Sequence, residues 1–160
     1  MPVETAGIFI FDTHQNFLVC HPTGHHGASW SIPKGIPDKG EPYKVATVRE
    51  LEEETNITLT EDQIERVAFI GDFKYPNKDK VLYAFVLFLD DDPIPTDLKC
   101  MSMFSMKYGK FPEVDGYFWM NIDQSIFVNC AQKEALTHII NSYKLKTTSK
   151  NWLGGDINTI

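Results

Sequence analysis

Cysteine is scarce and scattered in this sequence. The three present, Cys20, Cys100 and Cys130, are odd in number and form no CxxC pair. That argues against a disulfide framework or a zinc site and makes the reducing cytoplasm the expected setting. No apolar run approaches the length of a membrane span, and Met1-Pro2-Val3-Glu4 lacks the basic and apolar regions of a secretory leader. Basic residues are also few: 15 Lys and Arg against 22 Asp and Glu leave a net charge of −7. Broad binding to a nucleic-acid backbone is therefore not expected, although a pocket for the 5′ end of an RNA stays open. No repeat or linker divides the 160 residues, which suit a single domain with a sizeable core. We place that domain at 1–143 and read 144–160 as a loosely attached tail. Nothing here fixes the oligomeric state.

What the chain does have is glutamate, concentrated in one place. Arg49-Glu50-Leu51-Glu52-Glu53-Glu54 holds five charged residues in six. The stretch before it, with Gly35 and Gly40 either side of Pro37, reads as a loop. Pro42 suits the first helical position, nothing from Tyr43 to Thr55 breaks a helix, and Asn56 favours a left-handed stop. The result is a loop feeding a helix of about three and a half turns. Val45, Val48 and Leu51 form its expected apolar stripe.

Glu50, Glu53 and Glu54 fall at i, i+3 and i+4, so their carboxylates are neighbours that repel. They also occupy the last two turns, where the helix dipole disfavours anions. A solvated acidic face is the ordinary reading of such a run. A divalent cation is the alternative that would explain the arrangement, because Mg²⁺ takes carboxylate and phosphate oxygens.

The full spacing decides between them. Gly35, Glu41, Arg49-Glu50, Leu51, Glu53-Glu54 and Ile57 resemble the signature box of the Nudix hydrolases, departing only at Asn56, where that pattern has glycine. Asn tolerates the left-handed conformation, so the turn is expected to survive. The resemblance covers roughly residues 3–143. It implies an α/β class fold, an α/β/α sandwich with a mixed sheet and the box as loop-helix-loop at one end. It also implies a hydrolase of phosphoanhydride bonds with Mg²⁺ as cofactor and Mn²⁺ as a substitute. By the family pattern Glu53 and Glu54 are metal ligands and Glu50 a further ligand or the base. Arg49 orients a glutamate, Glu41 braces the loop, and the carbonyl of Lys34 is an extra ligand. Glu113, six residues before Trp119, matches a carboxylate that many of these enzymes carry before the last core strand, as ligand or base.

The flanks resemble asymmetrical diadenosine tetraphosphate hydrolases, through Trp30-Ser31-Ile32-Pro33-Lys34-Gly35 after His25-His26 and through Gly71 to Val81. Lys34, Lys80 and His26 are then the expected phosphate contacts, with Tyr75 or Tyr83 stacking on a base. The expected partner is a small nucleotide, foremost a dinucleoside polyphosphate. An RNA 5′-pyrophosphohydrolase, a nucleotide-sugar or ADP-ribose hydrolase, and a non-catalytic nucleotide sensor are the alternatives.

Elsewhere, period and turn residues predict strands at 5–11 and 17–20 as a hairpin, an antiparallel pair at 67–74 and 81–89, and a short strand at 116–120. A polar connection is expected at 60–63. A lid or mobile segment is expected at 90–111. A second helix over 126–143, capped by Asp123 or Ser125, should turn Phe127, Ala131, Ala135, Leu136, Ile139 and Ile140 inward.

Overall fold

A computed structural model describes residues 1–25, 29–106 and 109–146. Its centre is β1 (Val3–Phe11), buried along its length from Thr5 onward. The run Ile8-Phe9-Ile10-Phe11 serves two faces at once. Phe9 and Phe11 enter one core cluster, and Ile8 and Ile10 enter the other, as the alternation of a strand requires. A strand buried on both faces has no polar side to show, so it reads as a continuous apolar run.

Around it the sheet is mixed. β5 (Lys80–Phe88) lies parallel to β1 in register from Val3↔Lys80 to Phe11↔Phe88, and β4 (Ala68–Lys74) adds an antiparallel edge to β5. On the other side β2 (Asn16–Pro22) meets β1 only at Phe11↔Phe17, then diverges to pair with β8 (Val114–Asn121). The gap so opened beside β1 is filled by a two-residue strand, β3 (Lys34–Gly35), at Ala6↔Gly35 and Gly7↔Lys34. A side chain on Gly7 would meet Lys34 Cβ at 2.8 Å, so β3 can close up only because that position has no Cβ.

Two helices cover the two faces. α1 (Tyr43–Thr55) places Leu51 in the cluster that holds Ile8, Ile10, Phe85 and Leu87. α3 (Cys130–Tyr143) places Ala131, Ala135, Leu136, Ile139 and Ile140 against Phe9, Phe11, Phe17 and Leu82. This is the expected α/β/α sandwich.

Several expectations need correction. Val45 is exposed and Val48 half-buried, whereas the buried residues of α1 are Ala46, Thr47, Glu50, Leu51 and Thr55. The small residues let the helix sit close, and its inward side includes a carboxylate that a hydrophobic periodicity cannot register. The connection at 60–63 begins a helix, α2 (Glu61–Arg66), started by a capping box between Thr60 and Gln63. The segment 90–111 is not structureless but holds most of a hairpin of β6 (Met103–Met106) and β7 (Gly109–Pro112). The last helix starts later than expected. A 3₁₀ helix, Ile122–Phe127, is capped by Asn121, and Asn129 caps α3 by accepting from Gln132 N–H. The Phe127 side chain and residues 147–160 of the expected tail lie outside what is described.

Candidate active site

The carbonyl end of α1 is acidic and carries no basic residue in its last turn, so its orphan carbonyls need donors from elsewhere. A crossing segment supplies them. Met101 N–H and Ser102 N–H donate to Glu53 O (2.6 and 3.1 Å), and Lys99 N–H donates to Thr55 O (3.3 Å). The Tyr117 hydroxyl, from β8, donates to Glu54 O. Asn56 takes the left-handed conformation at φ 68° expected of it, its N–H donating to Glu52 O.

Arg49 organises the side chains above this end. Its Nε and Nη2 donate to the two oxygens of Glu41 at 2.9 Å each, a bidentate fork. The Glu41 carboxyl, which also accepts from Asp38 N–H at 2.9 Å, is held down at about 2 chiefly by those bonds from Arg49. Arg49 Nη1 reaches Glu50 at 3.0 Å and Glu53 at 3.1 Å. One guanidinium thus spans three carboxylates, leaving Glu54 to the backbone N–H of Lys34, 3.2 Å away.

Burial raises the Glu50 carboxyl to about 7, with the charge on Glu53 adding to the shift. Glu54 is pushed to about 8, mainly by burial, against the opposing hydrogen bond from Lys34 N–H. Even with Arg49 at 3.0 Å from Glu50, neither is comfortable as an anion without a further cation.

The open side of this cluster is a cleft of about 770 Å³. Glu54 and Glu113 line it together with Lys34, Lys78, Lys80, Trp30 and Tyr75. Lys80 stands over the Tyr75 ring at 4.9 Å. Burial, then the charges of Lys34 and Lys78, lowers its ammonium to about 8. A concentration of positive charge that is costly to hold suits an anionic ligand.

Of the expected site residues, Lys34, Lys80, Tyr75, Glu54 and Glu113 come together on the cleft. Glu50 and Glu53 instead engage Arg49, and His25 reaches the cleft wall. His26 lies outside the described residues. Tyr83 does not face the cleft. It stacks on Tyr43, with ring centroids 4.0 Å apart, and donates to Glu4, because alternation along β5 turns it toward the α1 side. Among the described residues no three acidic or metal-binding side chains already form a cage. Tyr117 and Asn129 were missed by sequence reasoning. Asn129 had a signal, the Asn-x-x-Gln spacing of a helix start. Tyr117, in an ordinary strand alternation, had none.

The NUDIX domain profile matches residues 1–139. The chain belongs to the Nudix family. It is accordingly a hydrolase of phosphoanhydride bonds. No curated protein matches its sequence. Among solved structures, it is similar to the NUDIX domain of Shewanella oneidensis NrtR complexed with ADP ribose, at 12% identity and TM-score 0.65 over 89% of each chain. It is similar to the MutT protein from Methanosarcina mazei Go1, at 18% identity and TM-score 0.63 over 89% of this chain and 96% of that one. A C. elegans Ap4A hydrolase binary complex is likewise similar, at 20% identity and TM-score 0.61 over 88% and 97%. Identities this low establish a shared Nudix fold and leave substrate choice to this chain's own residues.

Proposed function

We propose that this Nudix hydrolase is a divalent-metal-dependent pyrophosphohydrolase of a nucleoside diphosphate linked to a second group. A dinucleoside polyphosphate such as diadenosine tetraphosphate is the leading substrate. One observation carries the reading: the same cleft holds Glu54 and Glu113 together with Lys34, Lys78 and Lys80. Acidic groups to gather cations and ammonium groups to hold phosphates are both needed by a polyphosphate, and a substrate with one charge needs neither.

The donor set fits a hard divalent ion. Carboxylate oxygens are its preferred ligands, and two of these carboxyls, at about 7 and about 8, lack adequate counter-charge. Glu50, Glu53, Glu54, Glu113 and the Lys34 carbonyl are the proposed ligands. When bound, Mg²⁺, with Mn²⁺ as a substitute, supplies charge neutralisation on the phosphate oxygens. Lys34 and Lys80 hold the phosphate chain as point charges, and Trp30 and Tyr75 offer apolar walls for a base. Arg49 keeps Glu50 and Glu53 in place. Glu50 and Glu113 are the two proposed bases for the attacking water, a role supported for Glu50 by a carboxyl already raised to about 7.

We further propose residues 1–143 as the catalytic domain and 144–160 as its tail, acting in the cytoplasm, where Cys20, Cys100 and Cys130 would stay as the free thiols they are. Among the described residues no helix is long and apolar enough to cross a membrane.

The test is product analysis with Mg²⁺ on diadenosine tetraphosphate, ADP-ribose, a nucleotide sugar and 5′-triphosphorylated RNA, with Glu53→Gln as control. Fastest release of ATP and AMP from diadenosine tetraphosphate, lost by ~10²-fold or more in the variant, is the expected result. Faster turnover of another substrate would reassign the specificity. Binding without turnover on all four would make the protein a nucleotide sensor.

A further inference from the structure

The run from Trp30 to Gly35 bridges the cleft and the Nudix box, and its backbone needs partners on two sides. Toward the sheet these are backbone groups: Ser31 exchanges hydrogen bonds with Cys20 (2.6 and 2.9 Å), and Ile8 N–H donates to Pro33 O at 3.1 Å. Toward α3 the partner is a single side chain. Gln132, fully buried, accepts from Ile32 N–H through Oε1 at 3.0 Å. Its Nε2 donates to Ser31 Oγ at 2.9 Å, and that hydroxyl donates on to Ile32 O at 2.9 Å.

A buried amide is costly unless both ends are satisfied. Here each end is spent on neighbouring residues of one short loop, 100 and 101 positions away in sequence. Two residues further on, Lys34 N–H donates to Glu54, and immediately after it Gly35 lies against the Glu50 carboxyl. Gln132 itself lies three residues beyond Asn129, and both Asn129 and Cys130 line the cleft.

We propose that Gln132 is a positioning residue for hydrolysis, fixing the Ser31–Ile32 peptide so that Lys34 is presented correctly to Glu54. This rests on the active-site reading above. Gln132 touches neither substrate nor the reacting atoms, and its effect is transmitted through the loop. A displacement of about 1 Å at a reacting group is enough to cost a large factor in rate.

The experiment compares Gln132→Leu, Ser31→Ala and the double variant with Ile139→Ala, a buried α3 substitution in the same core whose apolar side chain makes no hydrogen bond to the loop. Steady-state kinetics are measured on the fastest substrate of the panel, well below each melting temperature. We expect Gln132→Leu to lower kcat about tenfold or more with a smaller change in KM. Ser31→Ala should give a lesser loss, and the double variant should be no worse than Gln132→Leu, because both act through one hydrogen-bonded unit. Ile139→Ala should lose melting temperature and keep kcat.

Equal kcat losses in Gln132→Leu and Ile139→Ala at matched stability would overturn the inference, as would additive losses in the double variant. If Gln132→Leu proves too unstable to assay, Ser31→Ala alone decides: wild-type kcat would overturn the proposal, and a kcat loss without a Tm loss would support it. Glu54→Gln is run alongside. Unchanged turnover there would overturn the active-site reading and this inference together. Loss there with full activity in Gln132→Leu would overturn this inference alone.

Discussion

The Glu50 carboxyl occupies the space that a side chain on Gly35 would need: a Cβ there would lie 2.0 Å from Glu50 Cδ and 2.2 Å from Oε1. Contacts under about 3 Å require something to move, and here it would be the buried Glu50 carboxyl. Gly35→Ala should therefore fold but lose at least ~10²-fold in kcat, as Glu50 is displaced from Arg49. A variant with near-normal kcat would show that the Glu50 position is not needed for turnover.

Arg49 binds Glu41 through two nitrogens and Glu50 and Glu53 through a third. A lysine ammonium keeps the charge but is a single point and cannot reproduce the fork. Arg49→Lys should cost about tenfold or more in kcat/KM with a Tm change of only a few degrees. Full activity in this variant would reduce the role of Arg49 to its charge.

The pH dependence of stability follows from the two raised carboxyls. Glu50 at about 7 and Glu54 at about 8 stand above an ordinary value of 4.5. The folded protein then holds more protons than the unfolded chain between about pH 4.5 and 8, so stability falls as pH rises through that window. In chelator, Tm should be lower at pH 8.5 than at pH 6 by about 5 °C or more, and excess Mg²⁺ should restore most of the difference at pH 8.5. Glu54→Gln should flatten the dependence. A Tm that rises with pH in chelator would contradict the burial of these groups.

Asn56 sits at φ 68° and donates from Nδ2 to Asp97 O at 3.1 Å. Glycine relieves the backbone cost but loses that bond, so Asn56→Gly should change stability by no more than about 0.5 kcal/mol. Asn56→Val should destabilise by about 1–2 kcal/mol, a β-branched residue being poorly accommodated in the left-handed region. Chemical denaturation distinguishes the two. Equal stability of the valine variant would mean the helix ends differently.

The end of α1, its left-handed stop and the sheet's central strands were legible because each rests on local chemistry: Asn56 and the apolar run of β1. The start of α1 differs by one position, because Pro42 stands in an extended conformation as the N-cap and not as the first helical residue. Inward-facing Glu50 was not, since amphipathic periodicity assigns carboxylates to solvent and only tertiary packing against Gly35 and Arg49 overrides it. The β6–β7 hairpin was hidden for a related reason. Its strands form a separate two-stranded sheet with Met103 and Phe111 exposed, so no buried face imposed a clear alternation. At the cleft, Lys34, Lys80, Tyr75 and Glu113 were legible through family spacing, whereas Gln132 and Tyr117 act over long sequence separations that no local pattern encodes.

The same hairpin is closed at its root. Glu113 N–H donates to Ser102 O at 3.0 Å, one step below the Met103↔Pro112 pair, while Ser102 N–H is anchored on Glu53 O. β6 and β7 thus belong to an excursion that leaves the carbonyl end of α1 and returns to it at this closure. Lengthening such an excursion costs little, since loop closure grows only logarithmically with length. An insertion between β6 and β7 is accordingly expected to leave Glu113 where it is.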